Sequence, residues 1–262
     1  MNFQNKVVLI SGATGGIGAA ITRRVAQEPC KLALAGRRED QLEALTREIQ
    51  QQKRECIYKT CDVKKKQDIE ETVAFIAKHY GSIDIAILTQ GILVPNPIET
   101  FDTTIIKETM DVNFFGIVYF TEYLFKVMKK QKSGMIAAVS TLPDKRGVPG
   151  WGAYGASKAA LSWFLESLRA EAKQKYNIKV ITIKPGSVQT PMIKDLPRRG
   201  AIPAERAADI IIKGMKREKK VIQFPLLQVA VTRLMDQFPP TTYDHIPVDL
   251  QKGEGYPIVE EK

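Results

Sequence analysis

Tyr154-Gly155-Ala156-Ser157-Lys158 sets a phenol and an ammonium four residues apart. In a helix that spacing puts both on one face, one turn from each other. A free phenol titrates near pH ~10 and a free lysine near ~10.4. A cation held beside the phenol favours the phenolate, which brings the tyrosine within reach of general acid or base work near neutrality. A second group lies near the N-terminus, where Ser11-Gly12-Ala13-Thr14-Gly15-Gly16-Ile17-Gly18 follows an apolar run. Gly12 permits a tight turn, while Gly16 and Gly18 let backbone approach a pyrophosphate and let the next helix pack closely. A helix beginning there presents unpaired N–H groups and a partial positive charge to phosphate.

Short apolar runs must carry these groups. Val7 to Ile10, Leu32 to Ala35, Cys56 to Tyr58, Ile83 to Leu88, Met135 to Val139 and Lys179 to Ile183 read as buried strands. Between them, Ile17 to Ala26, Glu39 to Gln52, Ile69 to Tyr80, Thr103 to Lys130 and Trp151 to Lys175 have helical spacing. Continuously apolar strands alternating with helices imply a parallel sheet with right-handed crossovers. The expected fold class is therefore α/β, a single doubly wound Rossmann-type sheet with helices on both faces. Glu205 to Lys216 adds a helix and Val221 to Phe224 a seventh strand. No linker divides the 262 residues, so one domain is expected.

The spacing Gly-x-x-x-Gly-x-Gly differs from the common dinucleotide fingerprint. Together with a Tyr-x-x-x-Lys placed the right number of elements later, it resembles the short-chain dehydrogenase/reductase family. The resemblance spans about residues 5 to 195, with six motifs in order. It implies an oxidoreductase that moves a hydride between a nicotinamide and a carbonyl or secondary alcohol. Tyr154 would handle the proton, and Lys158 would bind the nicotinamide ribose and prepare the phenol. The family's catalytic hydroxyl, usually a serine, lies thirteen positions before the tyrosine. Here that position is Thr141, with Ser140 just ahead as the fallback. Asp111-Val112-Asn113 matches the family's asparagine motif, giving Asn113 the role of distorting its helix and holding a water that leads to the lysine. Asp62, followed by Val63, takes the adenine amino group, and its local alternative is a helix N-cap. Pro185-Gly186-Ser187-Val188-Gln189-Thr190-Pro191 matches the loop whose Val188 and Thr190 flank the nicotinamide carboxamide. Leu88-Thr89-Gln90-Gly91 departs from the usual Asn-Asn-Ala-Gly, so only Gly91, and secondarily Thr89, carry over.

The cofactor can be read from the end of strand two, Leu34-Ala35-Gly36-Arg37-Arg38. An NAD site places an acid there for the ribose 2′-hydroxyl. Two guanidinium groups fit a 2′-phosphate instead. NADP(H) is therefore expected, with Arg37 as the main contact and Thr14 or Arg38 in support. The cofactor-binding set is Ser11, Gly12, Thr14, Gly16, Ile17, Gly18, Arg37, Arg38, Asp62, Val63, Gly91, Tyr154, Lys158, Val188 and Thr190.

The net charge is +10. The basic clusters lack interleaved aromatics, which argues against a nucleic-acid surface and for a solvated lysine-rich exterior. Cys30, Cys56 and Cys61 form neither a CxxC pair nor a disulfide-framework pattern, so neither bridges nor a metal site are expected. No leader or spanning segment is evident, and a cytoplasmic homo-oligomer acting on a small-molecule carbonyl or alcohol is the expectation. Substrate choice should lie in Leu142 to Trp151, with Asp144, Lys145 and Arg146, and in Met192 to Pro203, with Lys194, Arg198 and Arg199. Their basic residues suit either an anionic substrate or solvent. After Phe224, Leu227, Val231, Leu234, Met235 and Phe238 recur at helical spacing. That stripe closes over the cleft, packs against another subunit, or contacts a membrane surface. A non-catalytic NADPH sensor or scaffold is the alternative function, and the Tyr154/Lys158/hydroxyl set argues against it.

Overall fold

The computed structural model describes residues 2–193, 200–239 and 241. In chain order the first strands are β1 (Val7–Ser11), β2 (Lys31–Gly36), β3 (Cys56–Thr60), β4 (Ile85–Leu88), β5 (Gly134–Val139) and β6 (Ile178–Pro185). Two-residue strands β7 (Val188–Gln189) and β8 (Ile202–Pro203) follow, and then β9 (Val221–Phe224). The helices are α1 (Gly16–Val25), α2 (Glu39–Gln51), α3 (Lys66–Tyr80), α4 (Thr103–Met110), α5 (Gly116–Gln131), α6 (Gly152–Tyr176), α7 (Ala204–Lys216) and α8 (Leu226–Met235).

Both faces of the strands are apolar because both are covered. Val8 and Ile10 pack with α1, α2 and α7, whereas Val7 and Leu9 pack with α3 and α5. Successive side chains on a strand point to opposite faces, so one continuous apolar run feeds two cores. Among the described residues, seven strands form one parallel sheet in the order β3-β2-β1-β4-β5-β6-β9. The order reverses between β1 and β4, and ligands of such sheets bind outside the carboxyl ends of the strands at that crevice.

The structure differs from the sequence expectation at a few boundaries. β4 starts at Ile85 because the Ile83 amide donates to Gln131 Oε1 at 3.0 Å, outside the ladder. The segment expected as one helix from Thr103 to Lys130 is two. A π-helical turn, Asp111–Phe115, separates α4 from α5 and carries Asn113. The β7–β8 pair was not evident in the sequence, since two residues show no period. It pairs Val188 with Ile202 and so closes the base of the loop that contains Met192. Lys194, Arg198 and Arg199 lie outside the described residues, as does the chain beyond 241.

Candidate functional site

The β1–α1 turn is built by close approach. Gly12 has φ +73°, and its N–H donates to Ala35 O at 2.9 Å. A Cβ on Gly18 would stand 2.1 Å from Gly12 O, so only glycine lets α1 start here. The N-cap, Gly15, offers no side chain to the first turn of α1. Thr89 takes over the fastening: its hydroxyl donates to Ser11 O at 2.8 Å and Gly12 O at 3.2 Å, tying β4 to the turn. This explains how threonine substitutes where the family usually has asparagine.

A cavity of about 950 Å³ opens above this turn. Its wall includes Gly12, Thr14, Gly16, Ile17, Gly18, Arg37, Arg38, Val63, Gly91, Thr141, Tyr154, Lys158, Val188 and Thr190, so most of the expected set converges. Ser11 and Asp62 do not form part of the wall. Ser11 is fully buried, and its hydroxyl has no partner among the described residues. Asp62 Oδ1 accepts the Lys64 N–H at 3.1 Å in a turn ahead of α3, whose N-cap is Lys65, so Asp62 does not cap the helix either. The arginines divide. Arg38 donates to Thr14 O at 2.8 Å and Thr14 Oγ1 at 3.0 Å, which braces the turn. Arg37 is exposed and makes no hydrogen bond or ion pair within the described residues. The uncapped helix start, the glycine-walled turn and this unengaged guanidinium at one end of the cavity fit a dinucleotide with a phosphorylated ribose.

At the other end α6 brings the reactive groups together. Lys158 is buried, and its Nζ donates to Val139 O at 2.8 Å at the end of β5. The ammonium lies 5.8 Å from the centre of the Tyr154 ring. Burial lowers the Lys158 pKa to about 8. Loss of water pushes the Tyr154 phenol up, and the neighbouring Thr141 hydroxyl draws it partly back. The Lys158 ammonium is held on Val139 O and does not hydrogen-bond the phenol among the described residues.

The two candidate hydroxyls point to different places. Ser140 is buried against α6, donating to Lys158 O at 3.0 Å and paired with Ser162 Oγ at 2.8 Å. Thr141 faces the phenol. Asn113 is fully buried and makes three hydrogen bonds. Its Oδ1 accepts Ile92 N–H at 2.7 Å, and its Nδ2 donates to Ile92 O and Ser157 Oγ, both at 3.0 Å. Ser157 in turn donates to Tyr154 O at 2.7 Å. Thus Asn113 ties the strap after β4 to the first turn of α6. A Cβ on Gly91 would be 3.4 Å from both Asn113 Oδ1 and Lys158 Nζ, so the two groups flank the same backbone.

The family model for short chain dehydrogenase matches residues 6–200. This chain belongs to the short-chain dehydrogenase/reductase family, a family of oxidoreductases. It is 32% identical over 197 residues to an uncharacterized oxidoreductase of Listeria monocytogenes, covering 75% of this chain and 79% of that one. Over 237 residues it is 32% identical to the mouse (Mus musculus) dehydrogenase/reductase SDR family member 7B, covering 84% and 73%. Among solved structures, a short chain dehydrogenase/reductase from Burkholderia phymatum in complex with NAD superposes with a TM-score of 0.83 at 19% identity, over 89% of this chain and 94% of that one.

α8 was the least legible part of the site. Leu227, Gln228, Val231 and Thr232 all line the cavity, so the helix closes over the cleft. Gln228 is its fastening: Oε1 accepts Ser187 N–H at 2.8 Å and Nε2 donates to Gly200 O at 3.0 Å. It therefore grips both sides of the loop based on β7 and β8. The far end is held by the loop after β5. Arg146 donates to Asp236 O at 3.1 Å and to Phe238 O, and Lys145 Nζ lies 3.7 Å from Asp236. Asp144 pairs with Lys184 at 2.5 Å below. The helical stripe was visible in the sequence, but these long-range partners were not. Among the described residues, no helix is long and apolar enough to cross a membrane.

Proposed function

We infer that the protein is an NADP(H)-dependent oxidoreductase interconverting a carbonyl and a secondary alcohol. The observation that carries this reading is one cavity with Arg37 and the glycine turn at one end and Tyr154, Thr141 and Lys158 at the other. The Burkholderia relative was solved with NAD, which supports a nicotinamide dinucleotide; the preference for the 2′-phosphate rests on Arg37. When bound, the nicotinamide supplies or accepts the hydride.

The chain's own groups do the rest. Gly12, Gly16 and Gly18 admit the phosphates, and Val188 and Thr190 flank the carboxamide. Tyr154 gives its proton to the carbonyl oxygen as the hydride arrives at carbon, while Thr141 holds that oxygen by its hydroxyl. Lys158 keeps a cation beside the phenol, and Asn113 fixes the strap after β4 against the start of α6 and, with a water, refills the proton through Lys158. A panel of carbonyls read at the nicotinamide absorbance tests this. Tyr154→Phe should cut kcat by about 10²–10⁴ with nucleotide affinity retained. The KM for NADPH should lie below that for NADH. Retained turnover, or the reverse cofactor order, overturns the assignment.

A further inference from the structure

Charge is distributed unevenly in the cavity. Among the described residues its only charged side chains are Arg37 and Arg38 at the dinucleotide end and Lys158 under the phenol. Beyond Tyr154 the apolar part of the wall is Leu93, Leu142, Pro143, Met192, Leu227 and Val231, with Gln228 and Thr232 as polar neighbours on α8. Of the cations that the sequence offers to an anion, those among the described residues are engaged elsewhere, while Lys194, Arg198 and Arg199 lie outside them. Lys145 and Arg146 hold the end of α8, and Lys184 holds Asp144. On α8 itself the one charged residue, Arg233, donates to Gln223 Oε1 on β9 at 3.0 Å. Two apolar residues of α8 are instead left open at the cleft: Leu227 is 77% and Val231 49% exposed while lining the cavity. A soluble protein leaves such surface uncovered at a ligand groove.

We propose that the substrate is a carbonyl compound with an extended apolar chain, its carbonyl at Tyr154 and Thr141 and its chain along Met192, Leu227 and Val231. This rests on the oxidoreductase reading above and adds the substrate class to it. Leu227 and Val231 are then specificity residues.

The test is a chain-length series. Unbranched 2-alkanones from butanone to decanone are reduced with NADPH, and the matching 2-alkanols are titrated calorimetrically into the NADP⁺-loaded protein. Both kcat/KM and alcohol affinity should rise about two- to fourfold per methylene until the groove is filled. Leu227→Asn and Val231→Asn, at exposed positions that do not threaten folding, should flatten that slope. Leu234→Asn, on the same helix but outside the cavity, should not. Replacing the terminal methyl by carboxylate should weaken binding at equal length. Affinity that is flat, undetectable throughout or improved by the carboxylate overturns the proposal. Rising affinity without turnover of any ketone leaves the apolar groove standing and overturns the oxidoreductase reading instead.

Discussion

Thr141→Val and Ser140→Ala should separate cleanly, because two adjacent hydroxyls serve different masters. Ser140 Oγ joins Lys158 O at 3.0 Å and Ser162 Oγ at 2.8 Å in a buried cluster. Removing it strands the buried Ser162 hydroxyl, which costs about 1–3 kcal/mol. In a chain of this size about 1 kcal/mol moves Tm by roughly 2–4 °C, so Ser140→Ala should lower Tm by roughly 2–12 °C. Its kcat at temperatures below melting should stay within about threefold of the parent, since Lys158 Nζ remains on Val139 O. Thr141→Val keeps the shape and removes one donor from the reacting oxygen. Losing one such donor costs about 10²–10³ in kcat, with nucleotide affinity and Tm nearly unchanged. Differential scanning fluorimetry and steady-state kinetics on both variants suffice. A Thr141→Val enzyme within threefold of the parent, or a hundredfold loss in Ser140→Ala without a Tm shift, refutes the assignment.

Two further outcomes follow from burial. The Lys158 cation, lowered to about 8, is present below that pH and lost above it, so kcat/KM for carbonyl reduction should hold below pH 8 and fall through it; a pH–rate profile breaking near lysine's ordinary ~10.4 would contradict this. Burial raises the thiols of Cys30 and Cys56 from 9.0 to about 12 and of Cys61 to about 11. Native protein should therefore resist iodoacetamide at pH 8.5, whereas urea-unfolded protein takes up three equivalents. These raised thiols stabilise the fold fully below pH 9, and that contribution is lost as pH rises toward 11–12, because only the unfolded chain releases the protons early. Lys158 acts in the opposite sense between about 8 and 10.5, so the urea midpoint should fall above pH 9 by less than the thiols alone would give.

The glycine turn, the Tyr154–Lys158 pair and the strands were legible because each is a local pattern. A buried parallel strand is apolar throughout, and a pair four apart in a helix shares a face whatever surrounds it. Ser140 against Thr141 was not legible for a matching reason. Neighbours at the end of a strand face opposite ways, and which way is inward depends on where α6 lies. The same holds for charge. Lys145 and Arg146 look available to an anion in sequence, yet their partners, Asp236 and Phe238, stand some ninety residues further on. Gln228 carries no sequence signal at all, since a glutamine on a helix is ordinary until Ser187 and Gly200 are brought to it.

The burial of the phenol bears on the chemistry as well. Helical spacing shows that a cation is near Tyr154 but not how much water both groups lose. In the folded chain one desolvation acts on two acids of opposite charge type: it discourages phenolate and ammonium alike. The tyrosine therefore keeps its proton, and the lysine comes close to giving one up. A protonated phenol beside a hydroxyl donor is ready to give a proton to a developing alkoxide, the step that carbonyl reduction requires. Alcohol oxidation needs the same phenol as its anion, which burial opposes. Among the described residues Thr141 is the group that pulls the phenol back toward ionisation, so losing it should handicap oxidation more than reduction. The ratio of the two kcat values in Thr141→Val measures that bias directly.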